Sequence, residues 1–443
     1  TQSYVIVPTW GYKFDDLMPE IKKRFPQSKI ILLMEESGHL KRKIRLAWLS
    51  LAKIFPFLRG SQSFDFVIPV DLLSSAWDKK EDPIFKQSVD GLNVLLERGA
   101  ARVFNSCDVD ISSLIIDKIQ HGLLKEMEKL QRRVSFLKDI LQRVHPKVVI
   151  SPYSTGFYYA LGELSTLLGA ESCVITHGTH VPPNNKYEEI EDYWLAKGVV
   201  LNDYRTVAIQ SPWAKKFLNH FNDNRDFLYT GPLIFSQKQN GNRLDGVDQG
   251  IKNSKKKNIL YAATQRDHFR MRFYITETLD EFLESLKDIV LTISQYPDLH
   301  LLLRPHPACE LSESDFKCLL PKSDQISVVT GGKFEDVLSM TDLLISYSST
   351  CIEEALANNI PVVLYDRWYR YNHFNIKPYD PLSDLSPVPA VYIHQQAKLN
   401  EYLSRFSKGW KVPLEAFDEY RYPRGWNERF YDYVGQCLED KKG

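Results

Sequence analysis

The chain lacks the marks of several protein classes. No run of roughly 18 apolar residues interrupts it, so the pattern of a membrane-spanning helix is missing. Its six cysteines (Cys107, Cys173, Cys309, Cys318, Cys351 and Cys437) stand far apart, with no Cys-x-x-Cys and no paired Cys/His spacing. That argues against a disulfide framework or a structural zinc module and fits a reducing cytoplasm. Neither sign of charge is in excess, since 56 Lys and Arg face 56 Asp and Glu. Without a global basic field, no nucleic-acid partner is expected. The first residues open directly into a strand-like run, with no export signal visible. No repeat period of about 20–50 residues is seen, which removes solenoids.

What remains is ordinary globular material. The 443 residues are 43% apolar and 25% charged, enough for two or three domains with cores of their own. The 23 Tyr, 23 Phe and 8 Trp favour sites for flat ligands or sugar faces.

Short apolar runs bounded by turn residues recur and read as buried strands at 4–8, 30–34, 64–70, 147–151, 172–176 and 206–209. Helix-period segments separate them, the clearest at 111–143. Residues 235–257 are polar, Gly/Asn-rich and basic, which is linker composition. The alternation then restarts, with strands at 259–263, 300–304, 326–330, 343–346 and 361–365 and helices near 275–296, 334–340 and 350–358. Strand–helix–strand alternation requires parallel sheets covered on both faces. The expected architecture is therefore α/β: two facing Rossmann-like, doubly wound domains, residues 1–234 and 258–443, with the last helices free to pack back on the first. In such sheets ligands lie outside the carboxyl ends of the strands, here in the interdomain cleft.

Two strand ends in the second half carry the chemistry. Leu301-Leu302-Leu303-Arg304-Pro305-His306-Pro307 is a buried strand stopped by prolines. Arg304 and His306 at its edge suit a phosphate or ribose, although a capped strand end would read the same way. In Asp342 to Leu356, another strand ends in Ser346, Ser348, Ser349 and Thr350, and a helix follows with Glu353 and Glu354 in its first turn. Hydroxyls and free amides at a helix start form an anion site, and a first-turn carboxylate can accept from ribose hydroxyls. An ordinary N-cap gives the same signature; the pairing with the Arg-Pro-His-Pro end favours phosphate.

This His-Pro strand end, the Ser-Ser-Thr turn into a Glu-Ala helix and the strand Ile360-Pro-Val-Val-Leu resemble the nucleotide half of GT-B glycosyltransferases. The branch most alike is that of bacterial surface-polysaccharide enzymes: sialyltransferases, Kdo transferases and teichoic-acid polyol-phosphate polymerases. The resemblance spans roughly residues 170–370. It implies a cytidine nucleotide held by His306, Pro307, Ser348 and Ser349. UDP-sugar 2-epimerases share the same layout.

The first half offers Cys173-Val-Ile-Thr-His177-Gly178-Thr179-His180, which is similar to the His-Gly-Thr turn of the polyol-phosphate polymerases. A near-neutral histidine can take an acceptor hydroxyl's proton, so His177 is a candidate base; a structural or sugar-binding role stands beside that. Ala208 to Lys216 followed by Tyr229-Thr230-Gly231-Pro232 resembles the family's exit from the first domain, with Gly231 letting the backbone pass closely. Arg266 would neutralise donor phosphate or be an exposed loop arginine. Glu163 would be a second base if it faces the cleft and a helix charge if it faces solvent. Asp108-Val-Asp110 reads as a helix N-cap rather than a metal site, and no metal or resident cofactor is expected. Residues 41–59 hold six basic residues and no acid, a pattern that fits docking on an anionic membrane surface or a helix with solvated charges.

The expectation is a cytoplasmic glycosyltransferase moving a CMP-activated acidic sugar of the Kdo or sialic-acid type to a growing glycan or lipid-linked glycan. Its alternatives are a CDP-polyol phosphotransferase and a UDP-sugar 2-epimerase.

Overall fold

A computed structural model describes residues 2–8, 14–34, 64–75, 83–96, 112–176, 178, 186, 189–190, 193, 196, 201–221, 225–237, 256–263, 277–306, 311–321, 323–384 and 386–439. Two sheets organise them. The first has strands β1 (Tyr4–Val7), β2 (Lys29–Met34), β3 (Phe66–Pro69), β4 (Val148–Ser151), β5 (Glu171–Ile175), β6 (Thr206–Ile209) and β7 (Asp226–Tyr229), in spatial order β3-β2-β1-β4-β5-β6-β7. The second has β8 (Lys257–Ala262), β9 (Leu299–Arg304), β10 (Ile326–Val328), β11 (Leu343–Ser346), β12 (Val362–Tyr365) and β13 (Ala390–Ile393), in order β10-β9-β8-β11-β12-β13. Both orders run 3-2-1-4-5-6, with the first sheet adding a seventh strand, so both are doubly wound with a switch point beside the first strand. The chain forms two compact units: residues 1–175, 197–207 and 431–443, and residues 176–196 and 208–430.

The strands form because they are continuous Val/Ile/Leu runs with both faces to bury. In the second sheet Ile259, Leu301, Leu303, Leu343 and Ile345 enter one core with the helix Leu279–Ile293. Their neighbours Leu260, Leu302, Leu344 and Val362 enter the other, against Ile352, Ala355 and Leu356. The period of two along each strand is what sends them to opposite faces. The helix Leu279–Ile293 starts at a capping box, in which Thr278 Oγ1 accepts from the Glu281 amide and the Glu281 carboxylate accepts from the Thr278 amide.

The strand readings at 4–8, 30–34, 64–70, 147–151, 172–176 and 206–209 and all five of the second half fall on observed strands. The helix read over 111–143 is three pieces: Ser112–Lys118, a π-helical turn Ile119–Leu123 and Leu124–Val144. A π turn keeps the backbone helical with i→i+5 bonds, so the three pieces read as one helix in sequence. Strands β7 and β13 were not anticipated, and the helices Gln396–Ser407 and Glu428–Leu438 were expected only as last helices without bounds. Both strands have four residues, and β13 follows a proline-rich stretch that hides its pattern. Among the described residues no helix is long and apolar enough to cross a membrane. Most of the linker (238–255), the basic segment 41–59 and Asp108–Asp110 lie outside the described residues.

One close contact makes a stability test. On the helix Phe157–Leu167, a Cβ on Gly162 would fall 2.3 Å from the ring of Tyr204, which is fully buried and donates its hydroxyl to the Tyr158 carbonyl. Gly91, in the helix Pro83–Leu95, has nothing near its missing Cβ. Gly162→Ala should cost about 1–3 kcal/mol through overpacking, despite alanine's better helix propensity. Gly91→Ala should stabilise by up to about 1 kcal/mol. Urea unfolding measures both, and equal effects at the two positions would contradict the packing described.

Candidate functional site

Register decides where the two strand ends lie. Ala262, the last residue of β8, is paired with Arg304 of β9 on one side and with Ser346 of β11 on the other. The two motifs, remote in sequence, therefore end at one level, about 10 Å apart across two strand spacings. The switch point lies between β8 and β11, where such sheets open a crevice.

The side chains at this edge do different things. Ser346 is fully buried and donates its hydroxyl to the Ala262 carbonyl at 3.0 Å, tying two strand ends together. Arg304 reaches sideways and donates to the carbonyls of Gly331 and Gly332 at 3.0 and 2.9 Å. It thus fixes the loop after β10. Burial lowers its pKa, against the opposing pull of Cys351, Glu335 and Asp336. Just beyond lie His306, Ser348, Ser349 and Thr350, all half-buried. Ser349 Oγ accepts from the Cys351 amide at 3.3 Å and its carbonyl from the Ile352 amide, so it shapes the turn into the helix Cys351–Ala357. Pro307 and Arg266 lie outside the described residues.

Glu353 and Glu354 sit in the first turn of that helix and both are buried. Glu353 accepts from Ser211 Oγ at 2.5 Å, across 142 positions of sequence. Ser211 is the N-cap of the helix Pro212–His220, where it also accepts from the Ala214 amide at 3.2 Å. A buried carboxylate needs such a donor, and the bond ties the start of one helix to the other.

Gly178 of the His-Gly-Thr motif comes to the same place. His177 itself, with Thr179 and His180, lies outside the described residues, but its neighbours Thr176 and Gly178 do not. A Cβ on Gly178 would be 3.3 Å from Thr350 Oγ1, so Gly178 lies against the end of the serine turn. Thr176 is held by Gln210: the Gln210 side-chain amide donates to its carbonyl at 2.5 Å, and the Gln210 backbone N–H to its hydroxyl at 3.2 Å. All of these residues belong to the second compact unit.

Elsewhere, Gly231 has φ +64, a left-handed backbone that glycine takes without cost, with Tyr422 and Trp426 packed beyond it. Those rings stack on each other at 5.1 Å beside a cavity of about 1020 Å³, also lined by Thr230, Asn358 and Arg421. The cavity meets the far end of the helix Cys351–Ala357, about 10 Å of helix away from the serines. Glu163 is exposed on the helix Phe157–Leu167.

Two contributors were missed in the sequence. Gln210 looked like one polar residue at the end of a strand. Tyr347, between two serines, is buried, and its hydroxyl has no hydrogen-bond partner among the described residues. Burial first, then Asp366 and Glu277, raises its pKa. A buried phenol flanked by hydroxyl residues was a visible signal.

Residues 243–384, less than half of the chain, match the model of the LIC12162 family transferase. No curated protein matches the chain in sequence. A Listeria monocytogenes structure described as a UDP-N-acetylglucosamine 2-epimerase aligns over 98% of this chain and 95% of its own, at 11% identity and a TM-score of 0.54. The UDP-GlcNAc 2-epimerase of Neisseria meningitidis, bound to UDP-GlcNAc, aligns over 99% and 100% at 13% identity and a TM-score of 0.50. The kitacinnamycin glycotransferase aligns over 99% and 99% at 11% identity and a TM-score of 0.50. At such identities the likeness shows the fold. The fold is the two-sheet parallel α/β arrangement of GT-B proteins.

The Ser346 contact can be tested apart from any function. Ser346→Ala should cost about 1 kcal/mol of stability, the ordinary worth of a buried hydrogen bond. Wild-type stability in urea unfolding would mean that the bond to Ala262 contributes nothing.

Proposed function

We propose that the chain is a glycosyltransferase using a nucleotide-sugar donor, with the nucleotide along the carboxyl edge of the second sheet. The observation that carries this reading is the close approach of Gly178, the residue after His177, to Thr350 of the serine turn. Phosphate would be held by His306, Ser348, Ser349 and Thr350, with Arg304 shaping the wall beside it. His177, bonded between Thr176 and Gly178, is the proposed base. An anionic leaving nucleotide is stabilised by fixed donors in such a setting, and the nucleophilic hydroxyl needs only a proton acceptor. The match of residues 243–384 to a transferase family supports transfer over isomerisation.

For the donor we propose a CMP-activated acidic sugar, and for the acceptor a growing glycan or lipid-linked glycan. In this reading residues 1–234 form the acceptor side and 258–443 the donor side. Work at the inner membrane face, docked through residues 41–59, belongs to the same proposal. A UDP-sugar 2-epimerase is the second reading, favoured by solved epimerases with this fold, one of them holding UDP-GlcNAc.

Thermal unfolding with CMP, CDP, UDP and GDP separates these. A ligand at 100 times its Kd adds about 2.7 kcal/mol of stability. CMP should give the largest rise in Tm, and His306→Ala should abolish it while leaving the unliganded Tm near wild type. Sugar transfer should survive chelation of divalent ions. A rise with UDP alone would favour the epimerase or a UDP-sugar donor, and no rise with any nucleotide would remove the nucleotide site.

A further inference from the structure

Gln210 stands at the carboxyl end of β6, 1% exposed, and both ends of its carboxamide are engaged. Nε2 donates to the Thr176 carbonyl at 2.5 Å. Oε1 accepts from three successive amides, Leu233 and Ile234 at 2.7 Å and Phe235 at 3.3 Å. Three N–H groups converging on one atom fix which end of the carboxamide is oxygen, and therefore that its nitrogen faces Thr176. The segment so held continues to Ser236, whose carbonyl accepts from Asn358 Nδ2 at 2.7 Å. The same Asn358 nitrogen donates to the Glu354 carbonyl in the helix Cys351–Ala357, also at 2.7 Å. At the other end of that helix Thr350 meets Gly178. The connections close a ring: Thr176, Gln210, residues 233–236, Asn358, the helix, Thr350 and Gly178.

We propose that Gln210 is a positioning residue for the transfer reaction, holding Thr176, the residue before His177, in place while Gly178, the residue after it, meets Thr350. This rests on the reading of His177 as the base. The three amides need only an acceptor, and several side chains would satisfy them. The bond to Thr176 needs a donor on the same side chain. Glutamine supplies both in a rigid plane; glutamate would keep the acceptor and lose the donor. A base displaced by 1 Å loses on the order of 100-fold in rate, whereas donor affinity depends on contacts the turn does not make.

The test compares Gln210→Glu and Thr176→Val in the full chain. Nucleotide release from CMP-, CDP-, UDP- and GDP-sugars is measured together with thermal unfolding and NMR of ¹⁵N-labelled histidines. His177→Ala identifies the His177 resonances. We expect kcat to fall about 10–100-fold with donor KM within about twofold. We also expect the His177 resonances to shift while the other histidines stay in place. Wild-type kcat, KM and His177 resonances in both variants would overturn the proposal. So would, in both variants, a loss of activity that merely tracks loss of folding, with all histidine resonances collapsing together. If Gln210→Glu does not fold, Thr176→Val, which removes the hydroxyl that accepts from the Gln210 backbone N–H, carries the test. If the wild-type protein releases no nucleotide from any of the sugars, the transfer reading falls, and the histidine resonances still decide whether Gln210 holds the turn.

Discussion

A parallel sheet delivers the carboxyl end of every strand to one edge, and the register among β8, β9 and β11 makes that edge a site. Ala262 faces Arg304 on one side and Ser346 on the other, so residues that are far apart along the chain end level with each other. Hydrophobic burial on both faces of the sheet sets this register, since a slip by one residue would turn Leu301 and Leu303 out of one core and Leu302 out of the other. The polar residues at the edge are positioned by apolar ones that never meet a ligand.

Beyond the edge, hydrogen bonds take over from packing. The helix Cys351–Ala357 has two turns and little stability of its own. Ser211 braces its start through Glu353, and Asn358 braces its end to Ser236. Each bond joins groups that would be costly to leave buried and unpaired, so the braces hold one another in place. Gln210 belongs to this ring and reaches the Thr176 turn from it. The absence of a Cβ on Gly178 lets that turn approach Thr350.

Much of this was legible in the sequence because parallel strands read as unbroken Val/Ile/Leu runs, and their exits as abrupt Pro, His and Ser clusters. The expected sheet residues 300–304 and 343–346 lie on β9 and β11 for that reason. The short strands β7 and β13 gave too few residues to show a period. At the site, residue type announced the serine turn and the His-Gly-Thr turn, but it did not say what each side chain holds. Ser346 bonds a carbonyl of the neighbouring strand, and Arg304 bonds the Gly331–Gly332 loop. The role of Gln210 could not be read, because its partners lie 34 positions before it and 23 to 25 after it. Nothing local in Ile-Gln-Ser-Pro indicates those distances.

Hydrogen–deuterium exchange with and without CMP tests the central claim most directly, because it locates a bound nucleotide without assuming a reaction. The account predicts slower exchange in peptides covering residues 301–306 and 346–352, with the strand ends of the first sheet other than that of β5 unaffected. Protection confined to the first sheet, or to the cavity beside Gly231, would contradict it.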